Sequence, residues 1–315
     1  MNNFLIEKLH IKHPVIMAPL FLVSNVAMVI AACESGITGV IPALNYRTDK
    51  ELRTALEELN AMNKTYGINL IVNRSNLYLK EQLDSCLEYQ VPFIITSLGN
   101  PKQVIEEFHK IGSLVFCDVS DLDYARKAAS YGPDALIAVT NLAGGHTGKY
   151  SPEVFIPALV KEFPQMPIIT AGGVSNSADI QHMLDLGACG VSVGTIFIAS
   201  EESPVSQDYK EACVNYGAED IVITTKLSGV PCTVINTDYV KKLGNHQNLL
   251  EVLLNKNRTL KKWFKLFVYK RGMDKLKKAA FSATYQNVWC AGKTIEYVKE
   301  ILPVKKIVEN LLRKL

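Results

Sequence analysis

Residues 167–197 read PIITAGGVSNSADIQHMLDLGACGVSVGTIF. An apolar run over residues 167–171 reads as a strand and ends on Gly172-Gly173. Residues 177–186 read as a helix stopped by Gly187, and a second apolar strand follows over 190–197, carrying Gly194-Thr195. This is a strand–helix–strand unit with a glycine at the end of each strand. Six more such strands precede it, over residues 15–19, 38–42, 66–72, 93–97, 114–119 and 135–140. Each is nearly continuously apolar, the pattern of a parallel sheet covered on its outer face. Helical stretches lie between them. Residues 49–60 put Leu52, Leu56 and Leu59 on one face, 101–110 opens on a proline, and 121–130 opens on an aspartate. Eight βα units in series with right-handed crossovers predict an α/β chain closed into a (β/α)8 barrel. The competing open, doubly wound sheet would place its glycine-rich loop after the first strand. Here the first strand ends in Ala18-Pro19-Leu20, and the glycine loops come late.

After about residue 204 the rhythm stops. Residues 1–204 are therefore assigned to the barrel. Residues 205–290 form an appended, mostly helical segment covering one of its ends, with a loop at 226–236, and 291–315 hold a closing amphipathic helix from Lys293.

The bulk properties agree with one large α/β unit. The chain has 315 residues, 48% of them hydrophobic, enough for a sizeable core, and its net charge of +3 points to no polyanionic partner. The expectation is no nucleic acid and no membrane. Seven cysteines, at 33, 86, 117, 189, 213, 232 and 290, show no C-x-x-C spacing, so neither a zinc site nor a disulfide framework is expected. Dispersed thiols suit a cytoplasmic protein. Residues 14–33 carry no charge and could span a bilayer, and Ile30-Ala31-Ala32-Cys33 resembles a lipoprotein cleavage site. Pro19 interrupts that stretch, and Ser24 and Asn25 stand where a helix cap belongs, so a buried strand, a loop and a buried helix are expected. Between Lys256 and Lys278 ten Lys/Arg face one acidic residue, Asp274. That is read as a solvated helix face, with a docking surface for an acidic partner as the alternative.

Ligands of such barrels sit at the C-terminal ends of the strands. Glycines after the last two strands let backbone N–H groups approach a phosphate, the recurrent anion site of these barrels. After the sixth strand comes Ala143-Gly144-Gly145-His146-Thr147-Gly148. Glycines on both sides free the backbone to present one imidazole, which titrates near neutrality and can act as a base. Asn69, an amide on an apolar strand, needs a partner: a ligand edge or a neighbouring loop.

Six segments together resemble the nitronate monooxygenase (2-nitropropane dioxygenase) family. They are Val-Ile-Met-Ala-Pro-Leu at 15–20, Gly-Ile-Asn-Leu-Ile-Val at 67–72, Ala-Gly-Gly-His-Thr-Gly at 143–148, Ala-Gly-Gly-Val at 171–174, Val-Gly-Thr-Ile-Phe at 193–197 and Val-Trp-Cys-Ala-Gly at 288–292. The resemblance implies FMN in the barrel and no metal. Ala18, Pro19 and Leu20 would back the flavin ring, and Asn69 would bond the ring or ribityl region. Gly144, Gly145 and Ala171 would line the cofactor, while Gly172, Gly173, Gly194 and Thr195 would hold its phosphate. His146 would be the catalytic histidine, deprotonating a nitroalkane or orienting a nitronate. The reaction implied takes the nitronate and O2 to a carbonyl compound and nitrite, with the electron chemistry belonging to the cofactor. Lys293 departs from the glutamine common in relatives. The alternatives are an FMN-dependent enoyl-acyl carrier protein reductase using NAD(P)H, and a flavin-binding protein without turnover. The oligomeric state is left open, with a homodimer as one option.

Overall fold

A computed structural model of the chain describes residues 3–73, 76–225, 231–243 and 288–313. The basic stretch 256–278 and most of the helical pattern of the appended segment lie outside the described residues.

The chain starts with helix α1 (Phe4–Leu9), capped by Asn3. Strands and helices then alternate: β1 (Val15–Met17), α2 (Val26–Glu34), β2 (Thr38–Pro42), α3 (Asp49–Ala61), β3 (Gly67–Ile71), α4 (Leu79–Glu88), β4 (Phe93–Ser97), α5 (Lys102–Lys110), β5 (Leu114–Val119), α6 (Leu122–Ala129) and β6 (Ala135–Val139). A two-residue strand, β7 (Gly145–His146), interrupts the series before α7 (Pro152–Glu162), β8 (Ile168–Ala171), α8 (Ser177–Asp185) and β9 (Gly190–Val193). β1 to β6, β8 and β9 pair in parallel and close as β9 meets β1, giving the eight-stranded (β/α)8 barrel. The helices start where side-chain oxygens cap them. Thr48 and Glu51 form a reciprocal capping box on α3, and Asn25, Asp121 and Asn176 cap α2, α6 and α8.

Strand alternation sorts the core into two layers. Ile16, Val40, Phe93, Ile95, Phe116, Ile137 and Ile169 fill the barrel interior, and Leu5 and Leu9 of α1 pack into the same cluster. Asn3 donates to the Cys189 carbonyl at the foot of β9, so α1 closes the N-terminal end of the barrel. The alternate residues, Cys117 among them, pack outward with the helices in the larger core. Residues 14–33 form strand, loop and helix, with Cys33 buried and its thiol pushed up to about 11 by that burial. No described helix is long and apolar enough to cross a membrane.

The region after the barrel departs from expectation in two places. Behind α9 (Gln207–Asn215), β10 (Ile221–Thr224) pairs antiparallel with β11 (Cys232–Ile235), which lies inside the expected loop at 226–236. β11 pairs in turn with β7, so a three-stranded sheet, in the order β10-β11-β7, stands over the sixth-strand loop. Helix α10 (Asp238–Leu243) follows. The closing helix is also shorter than expected. Residues 293–297 make a 3-10 turn, and α11 (Val304–Leu311) begins only after Pro303, with the Glu202 carboxylate accepting from the Val304 N–H at 2.9 Å.

Candidate functional site

The C-terminal mouth of the barrel is ringed by residues whose neighbours below are sealed. Ala18, Ile71, Ser97, Asp118, Val139, Ala171 and Gly194 are each partly exposed, whereas Ile16, Ile95, Phe116, Ile137 and Ile169 beneath them are buried. The ring therefore stands at the end of the barrel where ligands of this fold bind.

Its glycine loops approach one another closely. Gly172 and Gly173 have φ of +104° and +82°, a backbone region that favours glycine. A Cβ on Gly172 would lie 2.4 Å from the Ala143 nitrogen, and one on Gly173 would lie 2.7 Å from Leu142. The loops after β6 and β8 thus nest together only because these positions lack side chains. On the neighbouring strand, Gly194 faces Leu20, which a Cβ there would approach to 3.0 Å. The chain turns from Gly194 straight into a 3-10 turn, Thr195–Phe197. Side-chain-free backbone at adjacent strand ends, followed by a helical turn and by the capped N-terminus of α8, fits a phosphate.

The other sites expected from sequence converge here with different roles. Ala18 donates to the Val193 carbonyl at 2.8 Å, which welds the first strand's end to the last. Leu20 N–H donates to the Ser24 hydroxyl at 2.7 Å, fixing the turn after Pro19. The Thr195 hydroxyl accepts the Gly292 N–H at 3.0 Å, and a Cβ on Gly144 would lie 2.8 Å from that same nitrogen. The Ala291-Gly292 segment therefore sits on both the sixth-strand loop and Thr195. Three motifs far apart in sequence form one wall.

His146 stands on β7, in register with Cys232, while Gly145 pairs with Thr233. The Thr233 hydroxyl donates to the Ala143 carbonyl at 3.1 Å, holding the glycine loop under the small sheet. The His146 side chain is solvent-accessible, yet the surrounding protein lowers its pKa by burial. At neutral pH it is therefore an uncharged imidazole able to accept a proton.

Asn69, expected to need a partner, heads a polar relay in the mouth whose other members, Ser97 and Asp118, the sequence does not announce. Asn69 is buried, and its amide donates to the Ile95 carbonyl at 3.0 Å and to the Ser97 hydroxyl at 2.7 Å. Ser97 in turn donates to the Asp118 carboxylate. Both amide protons of Asn69 are thus directed into the barrel wall. Burial pushes Asp118 up to about 6, partly opposed by the Ser97 hydrogen bond. Among the described residues no cluster of metal-ligating side chains occurs.

Comparison with known proteins agrees with this geometry. The chain is 27% identical to a "(3aS,4S,5R,7aS)-5-hydroxy-7a-methyl-1-oxo-octahydro-1H-indene-4-carboxyl-CoA dehydrogenase" from Rhodococcus jostii, over 93% of this chain and 83% of the relative. It is 25% identical to a "Probable nitronate monooxygenase" of Staphylococcus saprophyticus, over 76% of this chain and 80% of that one. The structure of FabK from Thermotoga maritima superposes with a TM-score of 0.80 at 26% identity, covering 99% of this chain and 95% of the other. The family model for nitronate monooxygenase matches residues 74–314, so the chain belongs to the nitronate monooxygenase family, as an FMN-dependent oxidoreductase on a (β/α)8 barrel.

Proposed function

We propose that the protein oxidises alkyl nitronates with O2 to carbonyl compounds and nitrite, and that His146 admits neutral nitroalkanes by removing their α-proton. The observation that carries this reading is an accessible imidazole with a lowered pKa, raised on β7 at the ringed barrel mouth. Gly172, Gly173, Gly194 and the Thr195 backbone would hold the FMN phosphate. Ala18, Pro19, Leu20 and Ala171 would support the ring, Gly144 and Gly145 would bring His146 to its edge, and the Asn69 carbonyl would accept from it. Bound FMN supplies the electron acceptor. Nε2 or Nδ1 of neutral His146 takes the carbon-bound proton, and the imidazolium then faces the anionic nitronate and holds it by charge. The similarity to the Staphylococcus protein supports the substrate class.

A second reading rests on a separate observation, the similarity to the Rhodococcus CoA dehydrogenase along nearly the whole chain. In it the same mouth would take an acyl thioester, FMN would supply the hydride chemistry with NAD(P)H as the redox partner, and His146 would donate a proton to the substrate.

Replacing His146 with Ala separates base chemistry from binding. At matched FMN occupancy, turnover of a neutral nitroalkane should fall by about 10²–10⁴, and that of preformed nitronate much less. Equal losses on the two substrates would remove His146 from proton abstraction.

A further inference from the structure

We propose that Cys232 and Cys290 form an oxidation site, at which a hydroperoxide converts two thiols into a disulfide fastening β11 to the C-terminal segment over the barrel mouth. The two Sγ atoms lie 3.7 Å apart, although 58 positions separate them in sequence. Closing that gap to a disulfide bond of about 2.05 Å needs each sulfur to move by about 0.8 Å, within the reach of a χ1 adjustment.

The backbone around the pair is fixed from both sides. Val234 and Cys290 form an antiparallel bridge, and Ile235 N–H donates to the Trp289 carbonyl at 2.8 Å. Tyr209 donates to the Cys290 carbonyl at 2.6 Å and stacks on Trp289 with centroids 5.4 Å apart. Val234, Val240 and Val288 pack with Cys232 in a small apolar cluster against which Cys290 and Val222 rest. Both thiols are thus presented on one face of the small sheet. Cys232 is buried and Cys290 only partly exposed, so the oxidant must be small, of the size of hydrogen peroxide rather than a bulky disulfide. Either sulfur can give the hydrogen bond between them; with Cys290 as donor, the pKa of Cys232 is lowered and that of Cys290 raised. Cys232 is therefore the nucleophile and Cys290 the resolving thiol.

The chemistry balances. The Cys232 thiolate attacks one peroxide oxygen, the O–O bond breaks, and the departing hydroxide takes the Cys290 proton to become water. The Cys290 thiolate then attacks the Cys232 sulfenic sulfur. The S–S bond forms as S–O breaks, and the second hydroxide leaves as water with the proton Cys232 had released. Two electrons pass from the thiols to the peroxide.

The location gives the bond a consequence. Cys232 is the register partner of His146, and Cys290 lies two residues before Gly292, which bonds Thr195. The disulfide would fix the strand carrying His146's partner to the wall of the mouth.

The test is hydrogen peroxide treatment of the purified holoprotein, followed by unfolding, thiol alkylation and peptide mass mapping. The expected result is a fall from seven to five alkylated cysteines, a single Cys232–Cys290 cross-linked peptide lighter by about 2 Da, and full reversal by dithiothreitol. Cys232→Ser and Cys290→Ser should each abolish the cross-link while leaving the other five thiols alkylated. Seven alkylated cysteines, a cross-link between other positions, or sulfinic acid at Cys232 without a cross-link would each overturn the proposal. Because the mapping is done on the unsubstituted protein, a variant that fails to fold does not rescue it.

Discussion

His146 and Asp118 are pushed in the same direction, away from charge. Burial lowers the imidazole and raises the carboxyl, so near neutrality the histidine is uncharged, while the aspartate titrates within reach of physiological pH. For a base this is useful. The proposed activity on a neutral nitroalkane would require the unprotonated ring, so the acid limb of kcat/KM is expected below pH 6.5, the value of an unperturbed histidine. For Asp118 the raised pKa is a stability cost. An unfolded aspartate titrates near 3.8 and the folded one near 6, so the fold loses stability as pH rises through that window and carries the full penalty above it. Asp118→Asn keeps an acceptor for Ser97 but cannot ionise. It should therefore raise stability by about 1–2 kcal/mol at pH 8 and leave it nearly unchanged at pH 4. Urea unfolding at the two pH values checks this, and an equal effect at both would show that Asp118 is not held against its charge.

At the scale of elements, the loops after β6, β8 and β9 do the positioning, and their glycines are legible as such in the sequence. Gly173→Asp should release FMN more readily than Gly173→Ala, by about tenfold or more in Kd. Both variants strain a φ of +82°, but only Asp sets a carboxylate against the phosphate. Fluorescence of released FMN measures it, and equal retention in the two variants would move the phosphate elsewhere. The eight strands were legible because parallel barrel strands are apolar on both faces. β11 was not. Cys232–Ile235 has no alternation, since all four residues are buried, and its partner β7 is two residues long with a glycine in it. Nothing local announces a sheet whose strands come from residues 145–146 and 221–235. The same holds for Ser97 and Asp118, whose place in the mouth follows from their parity with Ile95 and Phe116 only once the register is known. The closing helix was overextended at its start: the pattern from Lys293 forms only a 3-10 turn, and the α-helix starts at Val304, after Pro303, which has no N–H to continue a helix.

Over the whole molecule, the two ends of the barrel are treated differently. α1 seals the N-terminal end with Leu5 and Leu9, whereas the C-terminal end is roofed by the small sheet and by the segment from Val288 to Gly292. The glycine loops after β6, β8 and β9 all lie at the C-terminal end. That arrangement serves either direction of flavin chemistry, so the donor that reduces the flavin decides between the two readings. The direct test is anaerobic titration of the purified yellow holoprotein, following the flavin band near 450 nm, expected for this cofactor class. Rapid bleaching by ethyl nitronate is expected, with a slow response to NADH or NADPH, and recovery of the band with nitrite release when O2 is admitted. A flavin that ignores nitronate and is bleached at once by NADH or NADPH would contradict the nitronate reading and assign the mouth to an acyl thioester.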